Sequence, residues 1–138
     1  MRHFFDTNVL VYLFDGSAPS KRERSRELFR ETTRQRLALL STQVLQEFFA
    51  VVTRKITVPL SHEEARRAVH DLAKIPTVQV SREIILAAIE MIQRHRLSFW
   101  DSLIVQAALR GGATILYTED LQPGRIIETL TVQNPFQP

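Results

Sequence analysis

The sequence predicts an α/β protein, a three-layer α/β/α sandwich around a central, mostly parallel sheet of five strands. Three observations predict it. Five short apolar runs recur along 138 residues. Helical patterns separate them, and Ser-x-x-acid signals mark several helix starts. Strands that alternate with helices need crossover connections, and crossovers cover both faces of a parallel sheet with helices.

The runs come in order as Arg2–Phe5, Leu37–Leu40, Thr77–Val80, Thr114–Tyr117 and Leu130–Val132. Each is rich in β-branched, leucine or aromatic residues and bounded by polar ones, the pattern of a buried strand. Helix starts are expected at Ser20-Lys-Arg-Glu23, Ser61-His-Glu-Glu64 and Ser98-Phe-Trp-Asp101. There a serine and an acid can satisfy the unpaired amides of the first turn. Segment Arg82–Arg94 carries a stripe of Ile85, Ala88, Ile89 and Ile92, and Gly111-Gly112 stops the helix that begins near Trp100. With no repeat or low-complexity linker, residues 1–138 are expected to form a single domain.

Composition narrows the chemistry by exclusion. The chain has no cysteine, so disulfides, thiolate metal sites and a cysteine nucleophile are ruled out. The first residues reach Asp6 before any long apolar run, unlike a signal peptide, and no stretch approaches the roughly 20 apolar residues of a membrane span. A soluble cytoplasmic protein with no membrane partner is expected. The formal charge of +3 is modest, but setting aside acids that bind cations leaves a more basic remainder, favourable to an RNA backbone.

Four carboxylates stand out by position. In parallel α/β sheets, sites form beyond the carboxyl ends of strands. Asp6 ends the first strand, and Asp120 stands just past the fourth, although an aspartate there can also serve as a turn or cap residue. Glu47 has Val44 and Val51 as its i−3 and i+4 helix neighbours, so it borders an apolar face. Such a carboxylate needs a partner, either an arginine or a metal ion. Asp101 lies on the stripe of Ile104, Val105 and Ala108, while also closing the Ser98 capping motif. Four acids converging at one end of the sheet would repel strongly unless hard cations compensated them. His3, His62, His70 and His95 show no zinc-type pairing.

The segments Asp6-Thr-Asn-Val-Leu10, Ser41-Thr-Gln-Val-Leu-Gln-Glu47-Phe, Phe99-Trp-Asp101-Ser-Leu-Ile104 and Leu116-Tyr-Thr-Glu-Asp120-Leu stand in this order along the chain. Together they resemble PIN-domain nucleases, specifically the VapC-type toxins of bacterial or archaeal toxin–antitoxin pairs. The resemblance implies a parallel sheet flanked by helices. It places Asp6, Glu47, Asp101 and Asp120 on the four acidic positions that hold Mg²⁺ or Mn²⁺, Glu47 directly or through water. Thr7 and Asn8 fall beside the first acid, Ser102 follows the third, and Thr118 matches a supporting hydroxyl. Glu119 adds a fifth carboxylate that can share or take the role of Asp120. Implied with these are an RNA substrate, a homodimer, and a small antitoxin that covers the acidic cleft.

The reaction expected is metal-dependent hydrolysis of RNA phosphodiesters, in which a bound cation activates water and offsets charge on the leaving oxygen. Two alternatives stand beside it. A catalytically silent RNA- or protein-binding module could share the fold. An aspartate-nucleophile phosphatase could use Asp6, but the second aspartate common in such enzymes is Asn8 here. Arg22, Arg26, Arg30 and Arg34 form one helical row, with Glu23, Glu27 and Glu31 beside it. A salt-bridged solvated face accounts for that pattern better than an RNA contact. Arg94, Arg96 and Arg110 are other candidate RNA contacts. Phe48 and Phe49 fit helix–sheet packing. Trp100 is assigned to packing ahead of base stacking.

Overall fold

The computed structural model describes residues 1–137 and has the expected three-layer α/β/α architecture. Strand β1 (Arg2–Phe5) leads into a short helix α1 (Thr7–Val11) and then the long α2 (Pro19–Arg34). Strand β2 (Ala38–Ser41) passes directly into α3 (Thr42–Val52), and α4 (His62–Leu72) precedes β3 (Thr77–Val78). Helices α5 (Arg82–His95) and α6 (Phe99–Arg110) are followed by β4 (Ala113–Tyr117), β5 (Ile126–Ile127) and β6 (Leu130–Gln133).

The sheet order is β3-β2-β1-β4-β6-β5, with every pairing parallel except β5–β6. It therefore has six strands instead of five. The extra one, β5, is a two-residue antiparallel edge strand, too short to register as an apolar run, and it exists as the hairpin partner of β6. The chain fills one side of β1 with β2 and β3, then crosses to the other side with β4. That reversal opens a crevice at the carboxyl end of β1, where such sheets bind ligands. Phe4, Phe5, Leu40 and Leu116 on the central strands are fully buried, as are Leu10 and Phe48 on the helices that follow β1 and β2.

The helix starts divide. Ser61 forms a complete capping box, accepting from the Glu64 amide at 3.1 Å while Glu64 accepts from the Ser61 amide at 2.9 Å. Ser98 accepts from the Asp101 amide at 3.0 Å. The Ser20 start does not form, because α2 begins one residue earlier at Pro19, with no side-chain cap. Proline is pre-set for the first helical position and brings no amide to satisfy.

The core face of α5 is also displaced from the expected stripe. Ile84, Ala88 and Met91 are buried, whereas Ile85, Leu86 and Ile89 are exposed. This helix is apolar around most of its circumference, so periodicity alone is ambiguous there; packing of Ile84 and Ala88 on Leu103 of α6 decides it. Trp100 is 62 % exposed, against the packing role assigned to it, and touches Phe99 edge-on. On α2, Glu31 pairs with Arg34, as expected of a salt-bridged face, while Arg26 instead donates to the Leu13 carbonyl. Gly111 ends α6 hard against the sheet: an added Cβ would collide with Leu39 Cδ2 and lie 2.8 Å from Val78 Cγ2. Among the described residues, no helix is long and apolar enough to cross a membrane.

Candidate active site

The site begins with backbone geometry. The Asp6 amide donates to the Tyr117 carbonyl at 3.0 Å, so the ends of β1 and β4 are tied together where their acids emerge. Asp6 is the N-cap of α1, accepting from the Thr7 amide at 2.7 Å. Its other oxygen accepts from Thr118 Oγ1 at 2.9 Å and from Asn8 Nδ2 at 3.4 Å. The Asn8 amide group also donates to Asp120 Oδ2 at 2.9 Å and to Thr118 Oγ1 at 3.1 Å. Its carbonyl oxygen accepts from the Glu119 backbone amide at 3.3 Å, so one side chain holds both Asp6 and the loop after β4.

Glu47 joins this web from α3. Thr7 Oγ1 donates to Glu47 Oε1 at 2.7 Å, and Gln43 Nε2 donates to Glu47 Oε2 at 3.3 Å. The same Gln43 group reaches the Trp100 carbonyl at 3.3 Å, linking α3 to the start of α6 beside Asp101. Glu47 and Asp101 are half-buried, as their places beside apolar faces require.

The electrostatics show that the acids sense one another. Burial pushes the Asp6 carboxyl up to about 7; hydrogen bonds from Thr118 and Thr7 oppose the rise, and the charges of Asp120 and Glu47 add to it. Burial also raises Asp101, opposed by a hydrogen bond with Ser98 and reinforced by the same two charges. Each of these groups would be relieved by a cation.

Glu119 is directed elsewhere. It accepts from Tyr12 Oη at 2.7 Å and from Lys21 Nζ at 2.9 Å, and Lys21 sits over the rings of Tyr12 and Phe136. Its charge is compensated without a metal, which leaves Asp120 as the carboxylate of that loop facing Asp6. Ser102 does not join the polar web. It is fully buried, and its Oγ has no hydrogen-bond partner.

Against the expectation of a tight carboxylate cluster, no group of three Asp, Glu or His side chains among the described residues is gathered closely enough to hold a metal ion. Thr7, Asn8 and Thr118 stand between the acids and separate like charges with hydrogen-bond donors. The donor chemistry nevertheless suits a hard divalent cation, being all oxygen and including one deeply buried carboxyl. The same burial counts against Asp6 as a nucleophile. It is 6 % exposed, and both of its oxygens are engaged.

A cleft of about 510 Å³ opens over the web, lined by Thr7, Asn8, Glu47 and Asp120, and by Val11, Tyr12, Asp15, Ala50, Val51, Lys55 and Ile56. Sequence reasoning missed four polar participants: Tyr12, Asp15, Gln43 and Lys55. Gln43 was open to inference, since it lies four residues before Glu47 and so shares its helical face, whereas Lys55 lies in the turn beyond α3. Tyr12 opens and Asp15 caps a single 3-10 turn after α1, too short for a periodic pattern to register.

A likeness to solved structures agrees with this topology. A toxin–antitoxin complex from Klebsiella pneumoniae superposes with a TM-score of 0.73 at 19 % identity, covering 98 % of both chains. VapC20 of Mycobacterium tuberculosis, described as a sarcin-ricin loop cleaving toxin, gives 0.67 at 20 % identity, covering 86 % of this chain and 91 % of its own. A DNA-bound VapBC from Salmonella typhimurium gives 0.68 at 16 % identity, covering 98 % of both chains. At such identities the likeness establishes the fold alone. Among curated proteins, none matches the chain significantly in sequence. The PIN domain family model matches residues 3–127, nearly the whole chain, and the chain therefore belongs to the PIN domain family.

Proposed function

We propose that this protein is a divalent-cation-dependent endoribonuclease that acts as the toxin of a toxin–antitoxin pair. The observation that carries the reading is the web of Thr7, Asn8 and Thr118. It holds three carboxylates from three elements (Asp6, Glu47 and Asp120) beside one cleft, with Asp101 close enough to feel two of them. A structural role asks for no such gathering of like charges, and a silent module would be more stable without it. Family membership and the toxin structures of the same fold add support.

Asp6, Asp101 and Asp120 would hold Mg²⁺ or Mn²⁺, with Glu47 bound directly or through water. The cation would supply a water nucleophile at neutral pH and offset charge on the leaving oxygen. The protein's own contribution is orientation. Asn8 and Thr118 fix the Asp6 and Asp120 carboxyl groups against each other, and Thr7 and Gln43 fix Glu47. An antitoxin would reach the same carboxylates with a basic side chain, and two copies of the chain would pair as a homodimer.

Asp6→Asn should abolish Mn²⁺-dependent cleavage of a mixed RNA pool while leaving the circular dichroism spectrum unchanged. EDTA should stop the wild-type reaction. Activity that survives in purified Asp6→Asn protein, or cleavage indifferent to EDTA, would sink the mechanism.

A further inference from the structure

We infer that Lys55 is a phosphate-binding residue of the cleft, holding an unpaired RNA strand beside the carboxylates. This rests on the ribonuclease reading and specifies how that site grips its substrate. Among the described residues lining the cleft, Lys55 is the single cation. Its placement is not incidental. A turn closes the end of α3, with the Lys55 amide donating to the Val51 carbonyl at 2.7 Å. Glu47, Val51 and Lys55 line the same cleft, the first two from α3 and the third from the turn that follows it.

Two cations on α2, Lys21 and Arg24, are already engaged. Lys21 is bound to Glu119, and Arg24 donates to the Pro135 carbonyl while lying 3.9 Å from Glu27. Lys55 is exposed and, among the described residues, has no carboxylate within ion-pairing distance. Asp15, the remaining acid of the wall, accepts instead from the amide and hydroxyl of Ser17, at 3.0 and 2.6 Å. An unpaired amine in a cleft of carboxylates is what a polyanion requires to enter it. Bound cations cancel the acids at one end, and Lys55 takes a flanking phosphate at the other.

Between the two ends the wall is apolar, formed by Val11, Ala50, Val51 and Ile56. That surface suits the face of an unstacked base or a ribose, and offers no set of donors to track a duplex. A volume of about 510 Å³ is of small-molecule size, with room for a nucleotide or two but not for a double helix. The occupant is accordingly a single-stranded segment, the form in which bases can be splayed out against a protein wall.

The test uses the full-length protein and a fluorescent, unstructured oligoribonucleotide of mixed sequence. Binding is measured by anisotropy in the non-cleaving Asp6→Asn background, with and without Lys55→Ala or Lys55→Arg, over a range of salt. Cleavage by Lys55→Ala is measured in the otherwise wild-type protein with Mn²⁺. Lys55→Ala should weaken binding about 3- to 10-fold and reduce the slope of log affinity against log salt by about 0.7, one phosphate contact on a single strand. Lys55→Arg should retain both. In cleavage, KM should rise more than kcat falls.

Unchanged affinity and salt slope in Lys55→Ala, while wild type still cleaves RNA, would overturn the assignment of Lys55 and leave the ribonuclease reading standing. Equal competition by a blunt RNA duplex would overturn the single-strand assignment. A protein that neither binds nor cleaves RNA would overturn both readings together. Binding that weakens as stated in Lys55→Ala, alongside a wild type without cleavage, would support the phosphate contact and refute the catalytic reading.

Discussion

At the residue scale, Asp6 combines deep burial with a role as an acceptor. A carboxyl that ionises near 4 in the unfolded chain and near 7 when folded keeps its proton longer in the native state. Between those values the native state holds more protons, so its stability falls as pH rises through the window. At about 1.36 kcal/mol per unit, the cost accumulated from pH 5 to pH 8 is about 2–3 kcal/mol. Removing the charge should remove that slope. In urea unfolding with EDTA present, Asp6→Asn should gain on wild type by this amount as pH rises from 5 to 8. The parallel effect of Asp101 is present in both proteins and cancels in the difference. A constant gap between the two proteins would show that Asp6 titrates normally. The residues of the web were legible in proportion to their regularity. Asp6, Glu47, Asp101 and Asp120 sit at strand ends or beside apolar helix faces, which a pattern can reveal. The partnership of Glu119 with Lys21 and Tyr12 joins residues about a hundred positions apart, which no local pattern encodes.

At the element scale, the close approach of α6 to the sheet depends on Gly111. An alanine Cβ there meets Leu39 and Val78, side chains of β2 and β3, with the helix end unable to retreat because β4 starts at once. Overpacking of this kind costs about 1–3 kcal/mol. Gly111→Ala should lower the midpoint of chemical denaturation accordingly, while Gly112, with nothing near its missing Cβ, should owe its sensitivity to its φ of +81° instead. Equal stability of Gly111→Ala and wild type would mean that α6 can shift outward. The glycine pair was readable as a helix stop, but which glycine faces the sheet was not. The same limit applied to α5, where apolar residues on nearly every side left the buried face to be chosen by Leu103. Periodicity identifies a face only when the opposite face is polar, as it is for α4 and its complete Ser61 capping box.

At the scale of the whole molecule, the four acids come from the end of β1, the middle of α3, the first turn of α6 and the loop after β4, segments far apart in sequence. The alternation of strands and helices was enough to foresee a parallel sheet and the edge at which its acids emerge, since crossover topology leaves few other arrangements. The sixth strand was not foreseeable from a two-residue segment whose pairing depends on β6. A cation bound among these acids would tie four elements together and relieve the repulsion felt by Asp6 and Asp101. Because the folded protein alone gathers the acids, binding must appear as thermal stability. A cation at a hundredfold excess over its Kd adds about 2.7 kcal/mol, a rise in Tm on the order of 10 °C for a chain of this length. The rise should grow with the logarithm of Mn²⁺ concentration at pH 8. It should shrink at pH 5, where a proton on Asp6 competes with the cation. Asp6→Asn should lose most of it at both pH values. A Mn²⁺ shift of equal size in Asp6→Asn and wild type would place the stabilising ion somewhere other than the carboxylate web.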